Sequence, residues 1–345
     1  MTERPTNETP TSTAGTPRSS APLKILCITG WCRNGSTILG NVLNEVPGFF
    51  HVGELHFLWK NSAGRGVNNL CGCGATLTEC PIWSEILTIG RPDGSTAEQH
   101  AAEVIRRQQA VVRTRHTWRV LRRGIDSADL RAHAELMGAV YATVAERTGA
   151  RVIVDTTKIP GESALLPRLP GIEPYFVHLV RDPRAVAQSW RHPKQYVFTM
   201  SASKSTAYWT GFNIASHALT QAYPERSMLL RYEDFIADPE AGIATLLELC
   251  GEAEAQNPVA GRTVTLHPNH TVTGNPDRFR SGETVIRPTD SSWQDGLATR
   301  SKLATRLLSW PLFRRYGYHR NGARDDRQPA SANSRQSGGT VGSGT

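Results

Sequence analysis

The sequence predicts an α/β fold, a parallel sheet flanked by helices, and three observations carry that expectation. Short apolar, β-branched runs alternate along the chain with longer segments in which apolar residues recur at helical spacing. The first run, Leu23 to Thr29, ends in a glycine-rich turn that opens directly into a helical segment. A later run, Pro174 to Val180, ends in Arg181-Asp182-Pro183-Arg184, where Asp182 suits an N-cap and Pro183 the first helical position. With 345 residues the chain is long enough for one large α/β domain or two small ones.

The turn after the first strand is Gly30-Trp31-Cys32-Arg33-Asn34-Gly35-Ser36-Thr37, which has the G-x-x-x-x-G-x-[ST] spacing of a phosphate-binding loop. Backbone N–H groups of such a turn converge on one anion, and the dipole of the following helix adds to the attraction. Ile38, Leu39, Val42, Leu43 and Val46 predict that helix over 36–46. The sheet is therefore expected to be P-loop-NTPase-like. Ser36, however, stands where the nucleotide-binding lysine belongs, and Arg33 is the sole cation of the loop. No apolar strand ends in a convincing Mg²⁺ carboxylate, so the departures point to an anion other than a Mg²⁺-bound triphosphate.

The second strand, Phe49 to Val52, delivers Gly53-Glu54-Leu55-His56 to the same carboxyl edge as the loop. Residues 60–150 form an insertion, with helices expected near 98–123 and 128–148. A third strand near 151–154 leads into Asp155-Thr156-Thr157-Lys158. The fourth, at 174–180, sets Arg181 at the usual ligand edge of an open α/β sheet, with Ser189 in the helix expected at 183–191. Helices near 203–222 and 239–250 flank a fifth strand near 227–231, which runs into Tyr232-Glu233-Asp234-Phe235. Asp290-Ser291-Ser292-Trp293 precedes a last helix near 296–310.

Taken together, these segments resemble the sulfotransferase family that uses 3′-phosphoadenosine 5′-phosphosulfate (PAPS), and the resemblance runs from about residue 23 to 318. In that family an R-x-G-[ST]-[ST] core holds the 5′-phosphosulfate, and Arg33-Asn34-Gly35-Ser36-Thr37 matches it. A strand ending in R-D-P-R, with serine eight residues after the first arginine, holds the 3′-phosphate, as Arg181 and Ser189 match here. The segments 154–158 and 231–235 are similar as well, and Gly274-Asn275-Pro276-Asp277-Arg278-Phe279-Arg280 is similar to the nucleotide-covering loop. The resemblance implies that Tyr232, Arg278 and Arg280 join the donor site and that 60–150 is a helical acceptor-side insertion. It further implies a soluble enzyme of bacterial style, resembling the carbohydrate and tyrosyl branches. The acceptor would be a hydroxyl on a sugar, lipid or secondary metabolite.

The chemistry explains the residue types. PAPS carries a 3′-phosphate, a 5′-phosphate and a terminal sulfonyl, so its site needs two separated anion pockets and no metal is required. Arg33 offers planar bidentate donors to phosphate oxygens. As the sulfonyl moves, charge grows on the leaving phosphate, and Arg33, Lys158 and the Ser36 and Thr37 hydroxyls are the candidates to stabilise it. The acceptor must also lose a proton. Glu54, desolvated by Phe57 and Trp59, is the first candidate base, expected to have a raised pKa. His56 is the second, since a histidine serves in the small-molecule branch of the family. The structural alternative is that Glu54 caps the next helix or pairs with Arg33.

The remaining features bound the function. Residues 1–21 and 321–345 are polar, Pro-, Ser- or Gly-rich, and expected to be disordered tails around a domain at 22–320. No signal-peptide core and no run of about 18 apolar residues occurs, so a cytoplasmic protein without a membrane span is expected. A homodimer stays open. The net charge of +8 draws on Arg106, Arg107, Arg113, Arg115, Arg119, Arg122 and Arg123, a stretch without carboxylates. It reads as a solvated helix, as a lid that attracts anions, or, lacking any nucleic-acid motif, least readily as a nucleic-acid patch. Cys71, Cys73 and Cys80 cluster in a loop but lack a clear fourth ligand, so packing under Trp83 is expected rather than zinc. Against the sulfotransferase stand a P-loop kinase or nucleotide-dependent switch without the usual lysine, and a non-enzymatic anion-binding module.

Overall fold

The computed structural model describes residues 21–192, 198–288 and 293–319. Apart from Ala21, both expected tails lie outside the described residues, as does Asp290-Ser291-Ser292. Five strands, β1 (Leu23–Thr29), β2 (Phe49–Gly53), β3 (Val152–Lys158), β4 (Ile172–Val180) and β5 (Ser227–Arg231), form one parallel sheet in the order β2-β3-β1-β4-β5. The three central strands are buried almost throughout because both faces are covered, although the second half of β3, Asp155 to Lys158, is polar. Leu26 and Ile28 of β1 pack on one side with Leu39, Val42 and Leu43 of helix α1 (Ser36–Asn44) and with Leu246 and Leu247 of the helix Pro239–Leu249. Ile25 and Cys27 point to the other side, where Met137, Val140 and Tyr141 of the helix Ala128–Thr148 and Leu219 of the helix Ala202–Ala222 meet them. The layers are those of a P-loop-NTPase-like α/β fold.

Because every strand of this sheet is parallel, every carboxyl end emerges at one edge. From β1 the chain passes over β3 to reach β2, and later crosses to β4 on the opposite side of β1. The turn after β1 thus lies at the switch point, where open α/β sheets bind ligands. Pairing of β1 with β3 shifts register between Cys27 and Thr29, so that Thr29 faces Lys158. The extra residue lies in β3 just before Lys158, whose φ is +65°.

Two local expectations fail. The arginine-rich segment is two helices, Ala97–Val111 and Thr117–Arg123, with Thr114–His116 between them. The first helix ends at Val111, and the backbone of Val112 and Arg113 rests against Gly161, where a Cβ would collide. The short antiparallel pair β6 (Thr263–Leu266) and β7 (Gly282–Val285) was not anticipated, since four residues carry too little periodicity. The arginines find carboxylates just outside their own stretch: Arg106 and Arg107 pair with Glu103, Arg106 also with Asp129, and Arg119 with Asp126.

Candidate active site

A cleft of about 950 Å³ opens at the carboxyl edge of the sheet, and Arg33, Ser36, Thr37, Glu54, Lys158 and Arg181 all line it. Gly35, φ +94°, forms the N-cap of α1 without a side-chain cap, which leaves the helix N-terminus available to an anion. Gly is required there for a second reason: a Cβ would overlap the ring of Tyr232. Among the described residues, the non-glycine residues with positive φ are Arg33 (70°) and Lys158 (65°). Both are site candidates, and such conformations cost on the order of 1–3 kcal/mol unless the surroundings enforce them.

Arg33 lies over the Trp190 ring at 5.0 Å, and its Nη2 is buried with no partner among the described residues. Burial pulls its pKa below the ordinary value, because desolvation disfavours the charged form. Arg181 leaves β4 as expected, donates from Nη1 to the Arg33 carbonyl at 3.0 Å and stacks over the Tyr232 ring at 4.7 Å. Its Nε is likewise buried without a partner among the described residues. Asp182 caps the helix Pro183–Arg191 through the Arg184 N–H, and Ser189 on that helix faces the same cleft. Two neighbouring arginines thus carry buried guanidinium nitrogens without partners among the described residues, a donor set suited to anionic groups.

Not every expected donor-site side chain faces the cleft. Asn34 is buried and donates from Nδ2 to the Leu179 carbonyl at 2.9 Å while its Oδ1 accepts from Ser36 N at 3.3 Å. It ties the loop to β4 and is not among the residues that line the cleft. Arg278 is also buried, donating to the carbonyls of Thr271 and Leu70 at 2.7 Å each. It joins two loops from beneath, whereas Arg280 lines the cleft. Short Gly-rich motifs do not reveal which of two nearby arginines turns inward.

Glu54 follows β2 as predicted, yet it neither caps the next helix nor meets Arg33. Lys158 Nζ lies 2.5 Å from its Oε1 and also donates to the Thr156 carbonyl at 2.8 Å. Burial works to lower the Lys158 pKa, but the charge and hydrogen bond of Glu54, together with Cys32 and Asp155, outweigh it and hold the ammonium above its ordinary value. Cys32 lies half-buried beside them, and desolvation pushes its thiol up to about 11, which keeps it protonated at neutral pH.

His56 points elsewhere. Its Nδ1 is hydrogen-bonded to Glu162, whose other oxygen meets His133 Nε2 at 2.8 Å. Burial alone would raise the Glu162 pKa, but the two histidines outweigh it and hold the carboxyl well below the usual range. His56 lines a second, smaller cleft of about 360 Å³ with Ile105, Arg113 and Tyr208, and Phe57 and Lys60 border both clefts. Sequence analysis missed Glu162 and His133, which lie in unremarkable local sequence and meet His56 only in the fold. It also missed a partner for the loop cysteines: His270 brings its Nδ1 to 3.3 Å from Cys80 Sγ and 3.8 Å from Cys71 Sγ. The expectation of three cysteines without a fourth ligand is therefore corrected, because the segment that supplies the histidine is nearly two hundred residues away.

Comparison with known proteins places these features in context. Residues 26–256 match the sequence profile of the sulfotransferase family. No curated protein matches the chain. Among solved structures, the chain is similar to the sulfotransferase domain from the Synechococcus PCC 7002 olefin synthase, with 18% identity over 86% of this chain and 97% of that one and a TM-score of 0.47. It is also similar to the sulfotransferase domain from the curacin biosynthetic pathway, with 16% identity, coverage of 84% and 99%, and a TM-score of 0.42. For the sulfotransferase STF9 from Mycobacterium avium the identity is 17%, the coverage 67% and 65%, and the TM-score 0.39.

Proposed function

Because the chain belongs to the sulfotransferase family, we propose that it moves the sulfonyl group of PAPS to a hydroxyl of a small sugar, lipid or secondary-metabolite acceptor. The observation that carries this reading is the pair of buried guanidinium nitrogens, Arg33 Nη2 and Arg181 Nε, that have no partner among the described residues and belong to two arginines lining one cleft. A buried donor without an acceptor costs about 1–3 kcal/mol, so the cleft favours a ligand with two separated anionic groups. In this reading Arg181 and Ser189 hold the 3′-phosphate. Arg33, the N–H groups that open α1 and the Ser36 and Thr37 hydroxyls hold the 5′-phosphosulfate, and Arg280 closes over the nucleotide. Tyr232 braces Arg181 and Gly35.

Lys158 then has two partners to choose from. In the free protein it neutralises Glu54; as charge grows on the oxygen that leaves the sulfur, the ammonium shifts its bond there. Glu54 is released to accept the acceptor's proton. His56, fixed by Glu162 in the neighbouring cleft, is the second candidate and in any case lines the path of an acceptor. Paired arginines on the helix Ala97–Val111 support a small-molecule partner over nucleic acid. Among the described residues no helix is long and apolar enough to cross a membrane, and we take the enzyme to act in the cytoplasm.

The deciding experiment incubates the protein with sulfur-labelled PAPS and a panel of hydroxylated metabolites, with no added Mg²⁺, alongside calorimetry of 3′-phosphoadenosine 5′-phosphate. Binding and label transfer under these conditions support the sulfotransferase. Binding of ATP that demands Mg²⁺, with no affinity for the bisphosphate, would return the kinase or switch, and tight binding without transfer to any acceptor would leave an anion-binding module.

A further inference from the structure

We propose that Cys71, Cys73, Cys80 and His270 bind one zinc ion in a closed tetrahedral site that staples the insertion to the segment covering the donor cleft. Their four ligand atoms all lie within 4.8 Å of one another. A tetrahedron with Zn–S of about 2.3 Å and Zn–N of about 2.0–2.1 Å has edges of roughly 3.5–3.8 Å. The separations found are 3.8 Å for Cys71 Sγ to His270 Nδ1, 3.3 Å for Cys80 Sγ to His270 Nδ1 and 4.0 Å for Cys73 Sγ to Cys80 Sγ. The one sulfur–sulfur distance among them, 4.0 Å, is too long for a disulfide, whose sulfurs sit about 2.05 Å apart. The separations suit one small ion at the centre. Three thiolates and an imidazole select zinc among common divalent ions, and four protein ligands leave no open position for catalysis.

The surroundings are those of a preformed site. Cys71-Gly72-Cys73-Gly74 is a tight turn, closed by Gly74 N to the Cys71 carbonyl at 2.9 Å, with Gly74 at φ +92°. A Cβ at Gly72 would collide with Asn269 and Thr271, so glycine lets the turn lie flat on the histidine's segment. Cys80 is anchored through its N–H to the Thr76 carbonyl at 2.9 Å. The His270 backbone is held by Trp83, whose Nε1 donates to the His270 carbonyl at 2.6 Å, and Phe50 lies roughly parallel to the imidazole with centroids 6.4 Å apart. Cys71 and Cys80 are fully buried, and the histidine is half-buried. Indole, phenyl ring and turn thus orient the ligands before any metal arrives.

The position gives the ion a purpose independent of the sulfonyl-transfer reading. Gly72 N donates to the Thr271 carbonyl at 3.0 Å, Val272 N to the Val52 carbonyl of β2 at 2.9 Å, and Arg278 joins Thr271 to Leu70. Thr273 and Gly274, next along, line the main cleft. A metal here closes a loop of nearly two hundred residues and fixes the covering segment against β2, the strand that carries Glu54.

The test is metal content and spectroscopy on the intact chain. Protein purified from zinc-supplemented medium is expected to carry close to one zinc per chain by mass spectrometry, and the count should fall at least tenfold in Cys80→Ser and in His270→Ala but persist in Cys250→Ala. Should the variants not fold, wild-type protein reconstituted with Co²⁺ alone still decides the matter. It should show the visible absorption of a tetrahedral cobalt centre with thiolate charge transfer. Zinc should also slow alkylation of all three cysteines, with a chelator restoring it. A wild-type chain that, with its thiols reduced, holds less than a tenth of an equivalent of zinc and gives no tetrahedral cobalt spectrum overturns the site; so does a disulfide among Cys71, Cys73 and Cys80 in freshly isolated protein.

Discussion

Arg181 donates from Nη1 to the backbone carbonyl of Arg33 at 3.0 Å, so the turn after β4 and the turn after β1 are fastened to each other. The guanidinium that makes this bond rests on Tyr232, and the Tyr232 ring in turn occupies the space above Gly35. Three strand ends therefore share one small interlocked unit, and its parts respond differently to substitution.

Arg181→Ala should weaken 3′-phosphoadenosine 5′-phosphate by about 10–100-fold, the equivalent of ~1.5–3 kcal/mol for a charge-assisted contact. Adenosine 5′-phosphosulfate, which lacks the 3′-phosphate, should lose much less. Calorimetry on the two ligands separates the roles, and an equal loss would mean that Arg181 acts only by holding the Arg33 turn.

Gly35→Ala meets two obstacles, the positive φ and the Tyr232 ring. Gly149→Ala is the reference, since Gly149 has φ +68° at the end of a helix with open space around it. The reference should lose about 1–2 kcal/mol from backbone strain. Gly35→Ala should lose on the order of 1–3 kcal/mol more from overpacking, and with it donor binding. Chemical denaturation of the two variants measures the difference; similar losses would show that the ring yields.

For the base, Glu54→Gln keeps shape but cannot take a proton. Donor affinity should change little while kcat falls by about 10²–10⁴-fold. His56→Ala should lose less, through acceptor packing. The opposite ranking in steady-state assays would move the base to His56 and give Glu162, which orients it, the supporting part.

Stability should fall as the medium becomes mildly acidic. Burial is the main cause that lowers the pKa of His178 from 6.5 to about 4 and that of His51 from 6.5 to about 3. Above pH 6.5 both are neutral in either state. Below it the unfolded chain takes up protons that the folded chain refuses, so each costs about 1.4 kcal/mol per pH unit until its folded value is reached. Glu162, held low in the fold, adds to the loss only below its ordinary 4.5. Urea midpoints between pH 7 and 5 check this: His178→Gln should flatten the slope by one group's share, and an unchanged slope would show that His178 is not buried neutral.

What the sequence determined was local or periodic. Strands covered on both faces carry apolar runs, so β1, β4 and the first half of β3 were legible, and the phosphate-type turn was legible because glycines and a helix start must be neighbours in the chain. A parallel sheet then obliges Arg33, Glu54, Lys158, Arg181 and Tyr232 to one edge. Only the tertiary structure decided which side chains turn toward each other there. Lys158 took Glu54, and Glu162 took His56. Asn34 and Arg278, inward by motif, spent their hydrogen bonds on carbonyls of other segments. His270 reached the cysteines across most of the chain. Such pairings depend on how distant loops settle over the sheet, where burial penalises every unpaired polar atom and selects partners that no spacing along the chain encodes.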